Sequence, residues 1–155
     1  MKQIVRIVRI VRLFALVAAF GVLSATPTMA QTSAGIRAGL SVDPDQFYFG
    51  GHVETPPLVD RLRFKPNVEI GVGNNLTVVA LNLEFAYVFP SQRDWNVYAG
   101  AGPALVIYDT AFDTSSGGGF NMLLGASHQA GLFVEIKVGV VDSPDLKIGV
   151  GYSFR

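Results

Sequence analysis

The amino-acid sequence predicts an all-β fold: an eight-stranded antiparallel up-and-down transmembrane β-barrel, preceded by a helical signal peptide. Two observations predict the barrel. Apolar side chains recur every second residue in several segments, and the opposite face of those segments carries glycine and charge. A β-strand directs successive side chains to opposite faces, so such a segment has one apolar face and one polar face.

The last segment shows this pattern most plainly. In residues 146–154, Leu, Ile, Val, Tyr and Phe alternate with Lys, Gly, Gly and Ser. Glycine weakens a strand and needs a reason, such as the close approach of other groups. A glycine-rich face therefore suits the lining of a narrow space better than a solvated surface. We predict that this segment is the last strand of a small barrel with its apolar side chains facing lipid.

Composition agrees with a membrane protein that does not use a helix to cross. Of the 155 residues, 50% are hydrophobic and only 15% are charged, against roughly 25% charged residues in soluble domains. The sequence has no uninterrupted apolar run of the ~20 residues that a spanning helix needs. Cysteine is absent, which excludes disulfides and thiolate metal sites.

Residues 1–30 are predicted to be the signal peptide. Four basic residues come first, residues 13–23 form an apolar run, and small and polar residues lead to Ala30. This order is typical of export signals, and the run is too short to span a bilayer. An uncleaved anchor or an amphipathic helix are the alternatives.

Cleavage would leave residues 31–155 as a single barrel domain. Its charge is eight basic residues against twelve acidic ones, or −4. This balance offers no basic patch, so we expect no nucleic-acid binding.

Seven further segments alternate in the same way: residues 34–42, 47–53, 61–72, 76–89, 95–107, 120–126 and 132–140. Turn-forming residues separate them. Residues 109–119 are predicted to be the longest connection, and residues 127–129 a short turn. Eight short strands with short joins fit an up-and-down barrel. Pro66 and Pro103 fall inside strands, where we predict a bulge or a missing hydrogen bond.

The predicted apolar face carries no charge. The opposite face carries eight ionisable side chains, which we predict to form a charge network inside the barrel: Arg37, Arg63, Lys65, Glu69, Glu84, Glu135, Lys137 and Lys147. A charge facing lipid would cost ~2–4 kcal/mol at mid-membrane.

The alternative is a soluble, lipocalin-like barrel or sandwich with the apolar face as its core. Eleven glycines on the charged face favour the membrane barrel, because its narrow interior needs space for Arg, Lys and Tyr side chains. They are Gly35, Gly39, Gly50, Gly71, Gly100, Gly102, Gly125, Gly131, Gly139, Gly149 and Gly151.

The whole mature chain resembles the small outer-membrane β-barrel family of Gram-negative bacteria, of the OmpA/OmpX kind. The resemblance rests on the exported start, the eight alternating strands, and three short segments: residues 98–102 (YAGAG), 133–137 (FVEIK) and 151–154 (GYSF). It implies the cell outer membrane, an N-terminus in the periplasm, and outward-facing connections at residues 43–45, 73–75, 109–119 and 142–145. It also implies a monomer whose partners are outer-membrane lipids, lipopolysaccharide and the assembly machinery.

For function, we expect a structural, envelope or surface-interaction role, with the lumen plugged by its charges. A narrow ion-conducting pore lined by the same charges is the first alternative. No cofactor or metal site is expected, since no phosphate loop, nucleotide motif or metal-spaced group occurs. Six Asp residues near the outward connections suggest, as a sharper hypothesis, divalent-cation bridging to lipopolysaccharide.

A lipid A-modifying enzyme is the second alternative. The chain has only two histidines, and the best candidate cluster is Ser127 and His128 with Glu135. If this pair lies in a strand, its side chains point to opposite faces and are poorly placed to cooperate. Otherwise His128 is simply a turn residue. The resemblance to outer-membrane deacylases would imply a His-x-Ser arrangement, whereas Gln129 and Ala130 follow His128 here. We therefore expect no enzyme.

Overall fold

A computed structural model describes residues 32–91 and 93–154, which form a closed antiparallel β-barrel. The predicted signal peptide lies outside the described residues. The strands are β1 Ser33–Val42, β2 Gln46–Glu54, β3 Leu62–Gly73, β4 Leu76–Val88, β5 Trp95–Thr110, β6 Thr114–His128, β7 Leu132–Val141 and β8 Leu146–Phe154. Each strand pairs with its neighbour along the chain, and β1 pairs with β8 to close the barrel. The predicted fold class is confirmed.

The barrel has two distinct ends. One end, which we call the aspartate end, is formed by the turns at residues 43–45, 74–75, 111–113 and 142–145. The other, the terminal end, holds both ends of the described barrel and the connections at residues 55–61, 89–94 and 129–131. The described part of the chain contains no helix long and apolar enough to span a membrane.

The predicted long connection at residues 109–119 is wrong. Strand β5 continues to Thr110 and β6 begins at Thr114, with Asp109 paired to Thr114. Ser, Thr and Gly resemble a loop in composition, but here their backbones continue the ladder with β5. The predicted turn at residues 127–129 is displaced for the same reason, because β6 runs through His128.

Both prolines coincide with interruptions of the ladder. Pairing of β2 with β3 stops at His52 and Asn67, one residue before Pro66. Pairing of β4 with β5 skips Pro103 and resumes in the same register at Ala101. Proline has no N–H to donate, so lost pairing without a bulge explains both sites.

The apolar side chains cover the outside of the barrel. Along β8, Ile148 and Val150 are 55% and 53% exposed, whereas Lys147, directly before Ile148, is 5% exposed. A continuous exposed apolar surface of this kind marks contact with a membrane or a protein. The soluble alternative, with the apolar face as a core, is therefore wrong.

Aromatic side chains form part of this outer surface near the terminal end. Tyr87 packs against Phe89 and Tyr152 against Phe154, with ring centroids 5.5 and 5.4 Å apart. Trp95 packs edge-on against His128 at 5.1 Å. Tyr and Trp combine an apolar ring with a polar group and are typical of the membrane–water interface.

Candidate functional site

The lumen brings together most of the ionisable side chains that the sequence singles out. Seven of the eight are buried inside the barrel: Arg37, Lys65, Glu69, Glu84, Glu135, Lys137 and Lys147. The eighth, Arg63, lies nearer the terminal end, with 32% of its side chain exposed. Strand alternation explains this placement, since each residue occupies an inward position on its strand.

Glu69 on β3 is the centre of the network. Its Oε1 lies 3.2 Å from Arg37 Nη1 and 2.8 Å from Lys137 Nζ, and its Oε2 lies 2.7 Å from Lys147 Nζ. The three cations come from β1, β7 and β8. A buried carboxylate needs such partners because removal from water is costly.

Glu135 on β7 forms a second centre. Its Oε1 accepts from Arg37 Nη1 at 3.2 Å, and its Oε2 accepts from the Tyr98 hydroxyl at 2.8 Å and lies 3.7 Å from Lys65 Nζ. Arg37 contacts both Glu69 and Glu135, which joins the two centres.

Glu84 is tied to the same network through Lys137. The two charged atoms are 2.8 Å apart, and Glu84 Oε2 also accepts from the Asn67 amide at 2.7 Å. Asn67 Oδ1 accepts from Asn82, and Asn82 Oδ1 accepts from Asn121, both at 2.7 Å. These three amides were not predicted as part of the network. Their inward spacing beside the charges was the available signal.

Glu54 also belongs to the network, although it was not predicted to. It follows the predicted segment at residues 47–53, but it is the last residue of β2 and is buried. Its Oε1 accepts from Arg63 Nη1 at 2.5 Å, and its Oε2 lies 4.0 Å from Lys65 Nζ. Together with Glu54, the network has four carboxylates and five cations.

Aromatic rings occupy the space that several inward glycines leave. A Cβ at Gly149 would overlap the Tyr48 hydroxyl, and one at Gly125 would overlap the Tyr98 ring. A Cβ at Gly151 would likewise overlap the Phe133 ring. The prediction that these glycines leave space for Tyr side chains is confirmed at Gly125 and Gly149, and at Gly151 the space holds the Phe133 ring.

Three cations lie over these rings, and one of them is Arg37, whose guanidinium carbon is 5.4 Å from the Phe133 ring centre. Lys65 Nζ is 4.1 Å from the Tyr98 ring centre, and Lys147 Nζ is 5.3 Å from that of Tyr48. A cation above an aromatic face is attracted by the ring quadrupole, by ~2 kcal/mol when the pair is desolvated. The rings therefore stabilise lysine ammonium groups that are also paired with carboxylates.

Part of the lumen is apolar, which the alternation pattern did not single out. Val78 and Ala80 on β4 pack against Ala104 and Val106 on β5. A second cluster joins Ala86, Tyr98 and Leu123 nearer the terminal end. These clusters lie on β4, β5 and β6, so parts of the lumen wall are apolar although Glu84 on β4 belongs to the charge network.

The candidate enzyme cluster is not assembled. Inward positions on β6 include Asn121 and Leu123, so Ser127 continues the inward set, while His128 packs against the outward-facing Trp95. The Nδ1 atom of His128 accepts from the Ala130 N–H at 3.1 Å. Among the residues that the structure describes, no group of three or more His, Cys, Asp or Glu side chains could hold a metal.

The sequence matches no model of a known protein family and no curated protein. Solved structures do match. The N-terminal β-barrel domain of Pseudomonas aeruginosa OprF has a TM-score of 0.57 and 16% identity, over 81% of this chain and 100% of that one. Neisserial surface protein A has a TM-score of 0.56 and 15% identity, over 79% and 96% of the two chains.

A transmembrane β-barrel designed de novo is also similar, with a TM-score of 0.54 and 14% identity over 81% of this chain and all of that one. Identities this low show the fold and leave the activity open. The matches include the β-barrel domain of one natural protein, a natural surface protein and a barrel designed to span a membrane. The chain therefore has the fold of the small outer-membrane β-barrels.

Proposed function

We propose that the chain is a small outer-membrane barrel with a structural, envelope or surface-interaction role, whose lumen is closed by the buried ion-pair network. The observation that carries the proposal is the span of the ion pairs. In an eight-stranded barrel, β3 and β7 lie on opposite walls, and Glu69 on β3 contacts Lys137 on β7 at 2.8 Å. Lys65 on β3 and Glu135 on β7 add a second cross-lumen contact at 3.7 Å.

The same geometry disfavours the narrow pore. A cavity in the lumen, lined in part by Tyr48, Glu69 and Lys147, has a volume of about 10 Å³. That volume accommodates about one water molecule. A steady ion current needs a continuous water-filled path, and the side chains of an eight-stranded barrel nearly fill its interior.

The outward surface supports the proposed location. Its apolar side chains would contact lipid, and the Trp and Tyr residues at the terminal end would lie at one membrane interface. The aspartate end would face outward, with lipopolysaccharide as a neighbour. Its turns at residues 43–45, 74–75 and 111–113 are short, and offer little surface for a protein partner.

A lipid A-modifying activity has less support. The separation of Ser127 from His128 across the sheet removes the base–nucleophile contact that such chemistry needs. Glu135 is already bound by Arg37 and Tyr98 inside the lumen. We therefore propose no enzymatic function.

Conductance in planar lipid bilayers tests the closed lumen. The purified protein is first shown to be a folded barrel by a heat-dependent change in gel migration. We expect no steady openings from the folded protein, and brief openings from a Glu69→Gly, Lys137→Gly double variant that loses a cross-lumen contact. Large and steady openings of the unmodified protein would overturn the proposal.

A further inference from the structure

The β7–β8 turn differs from the other described turns at the aspartate end. Asp43, Asn74 and Phe112 are exposed in their turns, whereas Ser143 and Pro144 are buried. Pro144 lines the lumen cavity together with Lys147. This turn thus folds into the barrel mouth.

Three inward glycines make room for it. A Cβ at Gly117 would overlap the side chain of Asp142, one at Gly119 would overlap Ser143, and one at Gly139 would overlap Ser143 and the Pro144 carbonyl. By contrast, a Cβ at Gly118 would meet nothing within 4 Å, because Gly118 faces the other way. Gly117, Gly119 and Gly139 therefore form a notch on the inward face, and the turn packs into this notch.

Hydrogen bonds between uncharged groups join the turn to neighbouring parts of the barrel. The Tyr108 hydroxyl donates to the Asp142 carbonyl at 2.6 Å, and the Gly139 N–H donates to the Asp145 carbonyl at 3.1 Å. The Asp145 N–H donates to the Asp43 carbonyl at 3.3 Å. Ion pairs to the buried network are not among these contacts, so the turn and the network are separate closures.

The turn begins at a strained residue. Val141 has a φ of 67°, in the left-handed region that a β-branched residue rarely adopts. Its side chain is 77% exposed, so little packing compensates for this conformation. Regular pairing of β7 with β8 ends at Val138 and Leu146, and beyond it the backbone bond from the Gly139 N–H to the Asp145 carbonyl is the last described link between the two strands.

From these observations we propose that residues 142–145 are a lid on the lumen mouth, which lifts at Val141 and uncovers a vestibule ending at Glu69 and Lys147. The inference rests on the proposed closed lumen, because the vestibule ends at the ion-pair network. Lifting breaks the backbone bonds of Asp145 to Gly139 and Asp43, and it leaves the regular β7–β8 pairing from Val138 and Leu146 onward in place. Strain at Val141 favours the lifted state, and the notch and the Tyr108 hydrogen bond favour the seated state.

Thiol labelling measures the lid directly. In a Gln46→Cys background, the cysteine lies at a buried position that lines the cavity, and a charged, water-soluble thiol reagent reports access to it. We expect Tyr108→Phe to raise the labelling rate roughly 3- to 10-fold, as loss of one hydrogen bond allows. Gly119→Ala should raise the rate and Gly118→Ala should leave it unchanged. Val141→Asn should lower it, because Asn tolerates the left-handed region.

Equal rates for all these variants, or rapid labelling of the Gln46→Cys protein itself, would overturn the lid. Conductance separates this failure from failure of the closed lumen. Tyr108→Phe should remain non-conducting while its labelling rate rises, because Glu69 and its cations lie beneath the lid. Faster labelling accompanied by steady current would show that the lid alone closes the lumen and would contradict the two-closure arrangement.

Discussion

Replacement of Glu69 by Gln removes the central charge of the lumen while keeping the shape of the side chain. Glu69 is 1% exposed and contacts Arg37, Lys137 and Lys147 within 3.2 Å. After the substitution, Arg37 keeps Glu135, and Lys137 keeps Glu84 and Glu135. The described contacts of Lys147 include no second carboxylate within 4.0 Å.

The expected loss follows from the uncompensated charge. Removal of one partner from a buried ion pair costs about 3–5 kcal/mol. Lys147 loses the one carboxylate among its described contacts, and Arg37 and Lys137 each lose one of theirs. We therefore expect Glu69→Gln to destabilise the barrel by at least about 3 kcal/mol. With an m-value of about 2 kcal/mol/M, that loss lowers the urea midpoint by about 1.5 M.

Reversible urea unfolding in lipid vesicles, followed by gel migration and tryptophan fluorescence, measures this midpoint. Asp113→Asn, at an exposed turn, is the control and should leave it unchanged. A Glu69→Gln, Lys147→Met double variant should lose about 1–3 kcal/mol less than the sum of its single variants, because the two side chains interact. A midpoint within 0.2 M of the unmodified protein for Glu69→Gln would refute the reasoning.

Three further predictions concern packing, lipid contact and catalysis. Gly125→Ala forces a Cβ into the Tyr98 ring and should destabilise the barrel by about 1–3 kcal/mol in urea unfolding. Gly118→Ala, with open space around the new Cβ, should leave the stability unchanged. Equal effects of the two substitutions would count against the glycine–aromatic packing. Val134→Lys places a charge on the outer face and should cost ~2–4 kcal/mol in vesicles, and a neutral result would contradict lipid contact there. Ser127→Ala should leave the acyl-chain pattern of lipid A unchanged by mass spectrometry, and a shift dependent on that hydroxyl would restore the enzyme alternative.

The outer surface and the charged lumen could be predicted because lipid imposes a strict rule on each strand. Leu146, Ile148 and Val150 face lipid and alternate with polar or small residues. Because successive strand residues point to opposite faces, Lys147 must face the lumen. The partners of each charge could not be predicted. They depend on which strands face each other across the barrel, and no local spacing relates Glu69 to Lys137.

The errors have a common origin in local composition. Residues 114–119 consist of Thr, Ser and Gly, and their strand conformation comes from pairing with β5 rather than from their own propensity. Glu54 lies beside Pro56 and Pro57 and therefore resembled part of a connection. Val78 and Val106 are apolar and yet face inward, where alternation predicts polar groups.

Spin labels placed singly along β7 from Leu132 to Val138 test the central claim most directly, because they report which face of the sheet meets lipid. In vesicles, labels at the outward positions Leu132, Val134, Ile136 and Val138 should collide with oxygen dissolved in lipid and be protected from a water-soluble nickel complex. Labels at Phe133, Glu135 and Lys137 should be poorly accessible to both reagents. Outward labels that the nickel complex reaches freely, or the absence of a two-residue period, would contradict the account.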